Sequence, residues 1–356
     1  MNRPSAVAVD FASGKVFVAD TANHRVLRFA SINALQNGAA AEGVLGQLDF
    51  HSATPGTSQR AMRAPHALAL DREGRLWVAD TDNHRILRFD NASSKEVGAP
   101  ADGLLGQDDF SQLRTDADAA HLHTPLGLAV DLAGRLWVAD AGHGQVLRFD
   151  TAAGKAAGSA ADGVLGLPHW FHPQGAYFAA PCEVAVDHEG RLWVADRDSH
   201  RILRFDHAAH KASYAPADGV LSLPDVPGRE TADQKPGAKR YGVATDGSGT
   251  LWVADSYNNW VVWFHNAARQ GGDAAADGLL GQGSFTTRTP GTSASTLNRP
   301  CGVWYDAPTD SLWIADRSNH RIVCFGQTVP LANLLPDLAE PYTLSSLAEH
   351  TLYTGK

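Results

Sequence analysis

The chain has 356 residues, 44% of them hydrophobic and 19% charged, and a formal net charge of −9. That negative balance argues against a phosphate backbone as partner, because non-specific nucleic-acid binding needs a positive surface. No apolar run approaches the roughly 18 residues that read as a membrane-spanning helix, and three cysteines are too few, and odd in number, for a disulfide framework.

The first apolar run, Pro4-Ser-Ala-Val-Ala-Val-Asp10, begins three residues after Met1. This start predicts no signal peptide, and a cytoplasmic location unless an upstream signal has been removed. The run returns as Pro65-His-Ala-Leu-Ala-Leu-Asp71, Pro125-Leu-Gly-Leu-Ala-Val-Asp131 and Pro181-Cys-Glu-Val-Ala-Val-Asp187. Two further copies are Arg240-Tyr-Gly-Val-Ala-Thr-Asp246 and Pro300-Cys-Gly-Val-Trp-Tyr-Asp306. A second run follows each, as in Leu76-Trp77-Val78-Ala79-Asp80, and its closing Asp falls at 20, 80, 140, 196, 255 and 316, a period of 56 to 61 residues. A third run resembles Asn83-His84-Arg85-Ile86-Leu87-Arg88-Phe89, and a fourth, Gly-Val-Leu-Gly or a close variant, starts at 43, 103, 163, 219 and 278.

Four short apolar runs per repeat, separated by turn residues, predict a four-stranded antiparallel blade. Six such blades predict an all-β, single-domain, six-bladed β-propeller, which hides most sheet edges. The blades span roughly 4–48, 65–108, 125–166, 181–223, 240–283 and 300–333, with a tail at 334–356. The sixth has no evident fourth strand, so residues 326–356 either supply one or pack beneath the ring.

The segments Pro-x-Gly-Val-Ala-Val-Asp, Leu-Trp-Val-Ala-Asp and Asn-His-Arg-Ile-x-x-Phe resemble the NHL repeat along nearly the whole chain. That resemblance implies the six-bladed propeller and leaves the function open. Residues present in every copy are more plausibly structural than catalytic. Asp20 and its equivalents, Arg25, Arg85, Arg201 and Arg321, and His24, His84, His200 and His320 therefore read as a lattice holding the blades.

Strand direction sets the functional face. The start of each inner strand, the residue after each Val-Ala-Asp and the long connections 49–64, 109–124, 167–180, 224–239 and 284–299 all fall on one side, here termed the top. Loops of 14 to 16 residues recurring on one face of a compact domain are usually site-forming. The residue after each Pro, or after Arg240, rings the axis as Ser5, His66, Leu126, Cys182, Tyr241 and Cys301. Alternate members are His66, Cys182 and Cys301, a set suited to Zn²⁺, or to copper, with one open coordination position. The competing reading makes both cysteines small core residues, as expected for Cys324. Glu183 is expected to turn away from Cys182 into a supporting position. His169 and His172, in an aromatic connection, either cap the channel or pack as ordinary loop. His121 and His123, and Trp260 and Trp263 in the divergent fifth blade, are open in the same way.

The site layout also resembles that of peptidyl-α-hydroxyglycine α-amidating lyase. The resemblance implies that His66, directly after its Pro, is a zinc ligand, although Cys182 and Cys301 stand where that pattern has histidine. It implies further that Arg197 and Arg317, each after an Ala-Asp, are catalytic arginines, and that Tyr257 is a catalytic tyrosine. The expectation is a metal-dependent lyase or hydrolase acting on a small organic substrate at the channel mouth. Arg197 and Arg317 would hold a substrate oxyanion, and Tyr257 or Tyr241 would act as base. The alternative is a non-catalytic propeller that binds a protein or peptide through its top loops. Neither nucleic acid nor membrane is expected as partner, and the oligomeric state is left open, a monomer being compatible with the sequence.

Overall fold

The computed structural model describes residues 1–166, 178–224, 240–272 and 274–326, together with the backbone of 348–352. Six four-stranded antiparallel sheets form the blades. The first contains β1 (Ala6–Val9), β2 (Lys15–Asp20), β3 (Arg25–Ser31) and β4 (Gly43–Leu45). The second contains β5 (Pro65–Leu70), β6 (Leu76–Asp80), β7 (Arg85–Phe89) and β8 (Gly103–Leu105). The inner strands of the other blades are β9 (Pro125–Val130), β13 (Pro181–Val186), β17 (Tyr241–Thr245) and β21 (Pro300–Asp306). Each inner strand contacts the next, and β21 contacts β1, so the ring is closed. Blade six takes its fourth strand from the C-terminal segment: β24 (Ala348–Leu352) pairs with β23 (Arg321–Gly326). Among the described residues no helix is long and apolar enough to cross a membrane.

The period-2 alternation of each strand sends side chains to both blade faces, so the core lies between blades. The cluster around Ala67, Trp77, Ala79 and Ile86 of blade two continues into Leu128, Val138, Leu147 and Phe149 of blade three. Equivalent clusters fill the other five junctions.

The repeated polar residues form the expected lattice. In blade two the Asp80 carboxylate accepts from Arg85 Nε at 2.7 Å, from Asn83 at 2.8 Å and from the Arg63 backbone N–H at 2.6 Å. Blades one, four and six repeat the Asp–Arg pair as Asp20–Arg25, Asp196–Arg201 and Asp316–Arg321. In blade three Gln145 and His143 take the place of the Arg–Asn pair on Asp140. The histidines link blades. His24 Nδ1 accepts from the Ala64 N–H at 3.0 Å, His84 Nδ1 from Thr124 at 3.1 Å and His320 Nδ1 from Arg3 at 3.2 Å. Asn259 Oδ1 does the same for Arg299 at 2.8 Å.

A second ring of bonds lies nearer the axis. Ser5 Oγ donates to the His66 carbonyl at 2.6 Å, and His66 Nδ1 donates to the Leu126 carbonyl at 3.1 Å. The Cys182 thiol donates to the Tyr241 carbonyl at 3.7 Å, and the Cys301 thiol to the Ser5 carbonyl at 3.3 Å. Each of these four side chains thus binds the ring carbonyl of the next blade. The backbones approach closely here: a Cβ on Gly242 would stand 1.9 Å from the Cys301 carbonyl oxygen, which explains glycine at that position.

Candidate functional site

The ring side chains owe their direction to a local irregularity. In blade four Pro181 pairs with Asp196 and Glu183 with Ala195, leaving Cys182 as the extra residue of a bulge. The register also shifts beside His66, Leu126 and Cys301. A bulge re-aims a side chain out of the pleat, and these turn along the ring onto the neighbouring carbonyls. Blade five differs: its pairing runs unbroken from Tyr241 opposite Asp255. Arg240 stands there where the other blades have Pro. The backbone N–H it gains donates to Ser256 Oγ at 2.7 Å, and its side chain is free to enter the mouth.

Arg240 reaches His66 across the axis, its guanidinium meeting His66 Nε2. The charges of Arg197 and Arg317 also bear on both His66 and Arg240. Burial, reinforced by Arg240, Arg317 and Arg197, holds His66 well below the usual imidazole range. Its ring is therefore neutral, with the proton on Nδ1, where it serves the Leu126 carbonyl. Burial and the neighbouring Arg317 lower Arg240 to about 10, so it stays a cation at neutral pH. Arg197 pairs with Asp198 at 2.9 Å. Neither Arg240 nor Arg317 has a carboxylate partner among the described residues. The structure therefore brings Arg197, Arg317 and His66 together as the sequence suggests, and adds Arg240. Its signal was present in the sequence, as the one inner-strand start that is not Pro.

The structure does not gather His66, Cys182 and Cys301, the residues expected to hold zinc or copper, into a metal-holding group. Burial pushes the free Cys182 thiol up to about 12 and the free Cys301 thiol to about 11. Both S–H groups are directed at carbonyls, and His66 Nε2 already accepts from the Arg240 guanidinium. Among the described residues no group of three or more His, Cys, Asp or Glu side chains is arranged to hold a metal ion. If the thiols are structural, both should resist a thiol reagent until the fold opens, and a chelator should change nothing. Cys182→Ser and Cys301→Ser should stay within about 1.5 kcal/mol of the parent, since Ser5 already makes this bond. Labelling kinetics with and without chelator, and denaturation of the serine variants, check both points.

Each of the two tyrosine hydroxyls has a hydrogen-bond partner. Tyr241 is buried and its hydroxyl bonds His200 Nδ1 at 2.8 Å. Tyr257 accepts from Arg288 at 3.2 Å and lies under that guanidinium. Glu183 lies below the ring rather than behind a metal ligand: it lines the central channel, and its Oε1 accepts from the N–H groups of Leu128 and Val184, each at 3.3 Å. Burial raises that carboxyl to about 8. His121 bonds Asp118 and Asp108, while His123 stacks edge-on between His84 and His143. Trp260 is fully buried packing. His169 and His172 lie outside the described residues.

Comparison with known proteins places these features in context. The NHL repeat family matches residues 1–29, 62–89 and 297–325. NHL repeat-containing protein 2 of Gallus gallus is 25% identical over 367 residues, covering 94% of this chain and 48% of that protein. The chain thus spans about half the length of the curated relatives it matches. The Caenorhabditis elegans protein named "probable peptidyl-alpha-hydroxyglycine alpha-amidating lyase pgal-1" is 30% identical over 145 residues, or 40% of this chain and 38% of that one. Among solved structures, a streptogramin B lyase superposes with a TM-score of 0.53 at 13% identity, covering 99% of this chain and 84% of its own. That likeness concerns the fold alone.

Proposed function

We propose, from the premise that this chain is a six-bladed propeller carrying NHL repeats, that its top-face mouth binds a small organic anion through Arg197, Arg240 and Arg317. A carboxylate, on a metabolite-sized molecule or a peptide end, suits guanidinium geometry best. The observation that carries this reading is the contact of Arg240 with a neutral, buried His66, within the electrostatic reach of Arg197 and Arg317, with only Arg197 paired to an acid. Cations left this way in a low-dielectric mouth are costly unless an anion completes them. Titration calorimetry with a panel of short mono- and dicarboxylates tests it. Saturable binding that weakens as salt rises and ignores chelator is expected; no binding by any of the panel overturns it.

Turnover is the second reading, as a lyase or hydrolase acting on that anion. It is supported by the similarity to the amidating lyase homologue and by the neutral imidazole of His66 beside Arg240 at the mouth. In that case His66→Gln removes turnover while leaving anion affinity within a few fold.

A further inference from the structure

Below the ring of Ser5, His66, Leu126, Cys182, Tyr241 and Cys301, the inner strands enclose a second space. It holds about 190 Å³ and is walled by Val7, Leu68, Leu128, Val184, Val243 and Val303, with Glu183 beneath the ring. The ring residues above it are almost completely buried. Toward the tight-turn face the lining residues Leu70, Val130, Val186 and Thr245 become part-exposed, so the space opens away from the arginine mouth.

Glu183 is the only acidic or basic side chain in this lining. It forms no ion pair with any described residue, and its contacts are two backbone N–H groups at the long distance of 3.3 Å. Gly127 lets it sit there: a Cβ on that residue would stand 2.5 Å from the Glu183 Cα. Every other strand-interior position facing the space is apolar or small, apart from Thr245 and Tyr305 near the open end, whose hydroxyls bond Val186 O and Asp310. A carboxyl group at the ring end of an apolar channel lacks a cation, and a ligand can bring one.

We propose that this channel is a binding site for a small organic ammonium ion, with its charged head on Glu183 and its apolar body along the valine and leucine walls. The volume is below the roughly 300–1,000 Å³ of drug-sized pockets, which limits the ligand to a short alkyl or branched-alkyl amine. The channel is separate from the top-face site, so the two proposals stand or fall independently.

Titration of the full chain with 3-methylbutylammonium, followed by NMR or calorimetry, tests the site. Saturable binding is expected, with the neutral isostere 3-methylbutan-1-ol weaker by about ten-fold or more, the scale of a charge-assisted hydrogen bond. Glu183→Gln should lose about the same factor, and a short carboxylate should not displace the amine. Equal affinity for amine and alcohol on the unmodified protein overturns the proposal, and this comparison needs no variant to fold. Absence of saturable binding, or unchanged amine affinity in a folded Glu183→Gln protein, overturns it as well.

Discussion

Replacing Arg85 by methionine should cost about 3–5 kcal/mol of stability, the range for a buried ion pair stripped of one partner. Neither Arg85 nor Asp80 has any exposed side-chain surface. Beyond Asp80, the guanidinium donates to the carbonyls of Thr57, Phe110, Ser58 and Ala61, at 2.6 to 3.1 Å. One side chain thus anchors two top-face connections as well as its own blade. Removal strands a carboxylate and leaves four carbonyls short of a donor, which is why methionine of similar length does not compensate. The midpoint of urea unfolding measures the loss. Asp80→Asn combined with Arg85→Met should recover part of it, because the uncompensated charge is gone. A loss below about 1 kcal/mol in the single variant would place the pair in the class of surface salt bridges.

Arg240→Ala and Arg317→Ala should each weaken carboxylate binding by about 1.5–3 kcal/mol, roughly ten- to a hundred-fold, with little loss of stability. The two effects separate because neither arginine has an acidic partner among the described residues. Blades one, two, three and five place Thr21, Thr81, Ala141 and Ser256 where blade six has Arg317. Arg240 stands among like charges in a desolvated mouth, so its removal relieves repulsion. Arg197→Ala should cost less affinity, since Asp198 already holds that side chain. Calorimetric titration beside thermal unfolding of the same variants reads both quantities. A large drop in stability with unchanged affinity would move the arginines into the blade lattice and leave the mouth without its anion site.

The blades and their number were legible because they rest on a pattern repeated six times, and the Asp–Arg lattice because its Asp recurs in all six copies and its Arg in four. Symmetry also marked Arg197 and Arg317, where two copies keep a charge that the others lack. The direction of single side chains was less accessible. His66, Cys182 and Cys301 occupy alternate ring positions, as expected, but the threefold describes where their strands start. The bulge beside each turns its side chain along the ring, and a bulge is invisible in the residue types. Arg240 was aligned to the prolines as a backbone position. Its side chain matters because proline has none to offer there. Strand alternation correctly turned Glu183 away from Cys182, but the space it enters is a property of six strands together.

The ring of carbonyl bonds is also uneven around the disc. Between blades six and one, where the two ends of the propeller meet, Cys301 binds Ser5 and His320 accepts from Arg3. Between blades three and four both devices are missing, because Leu126 has no proton to donate and Gly144 replaces the histidine. The inner bridge there is Glu183 accepting from Leu128. The middle joint is held instead by apolar packing, with Trp137, Leu165, Phe178, Val184 and Phe205 in one buried cluster. The ring is thus fastened by hydrogen bonds where its ends meet and by side-chain volume at its centre.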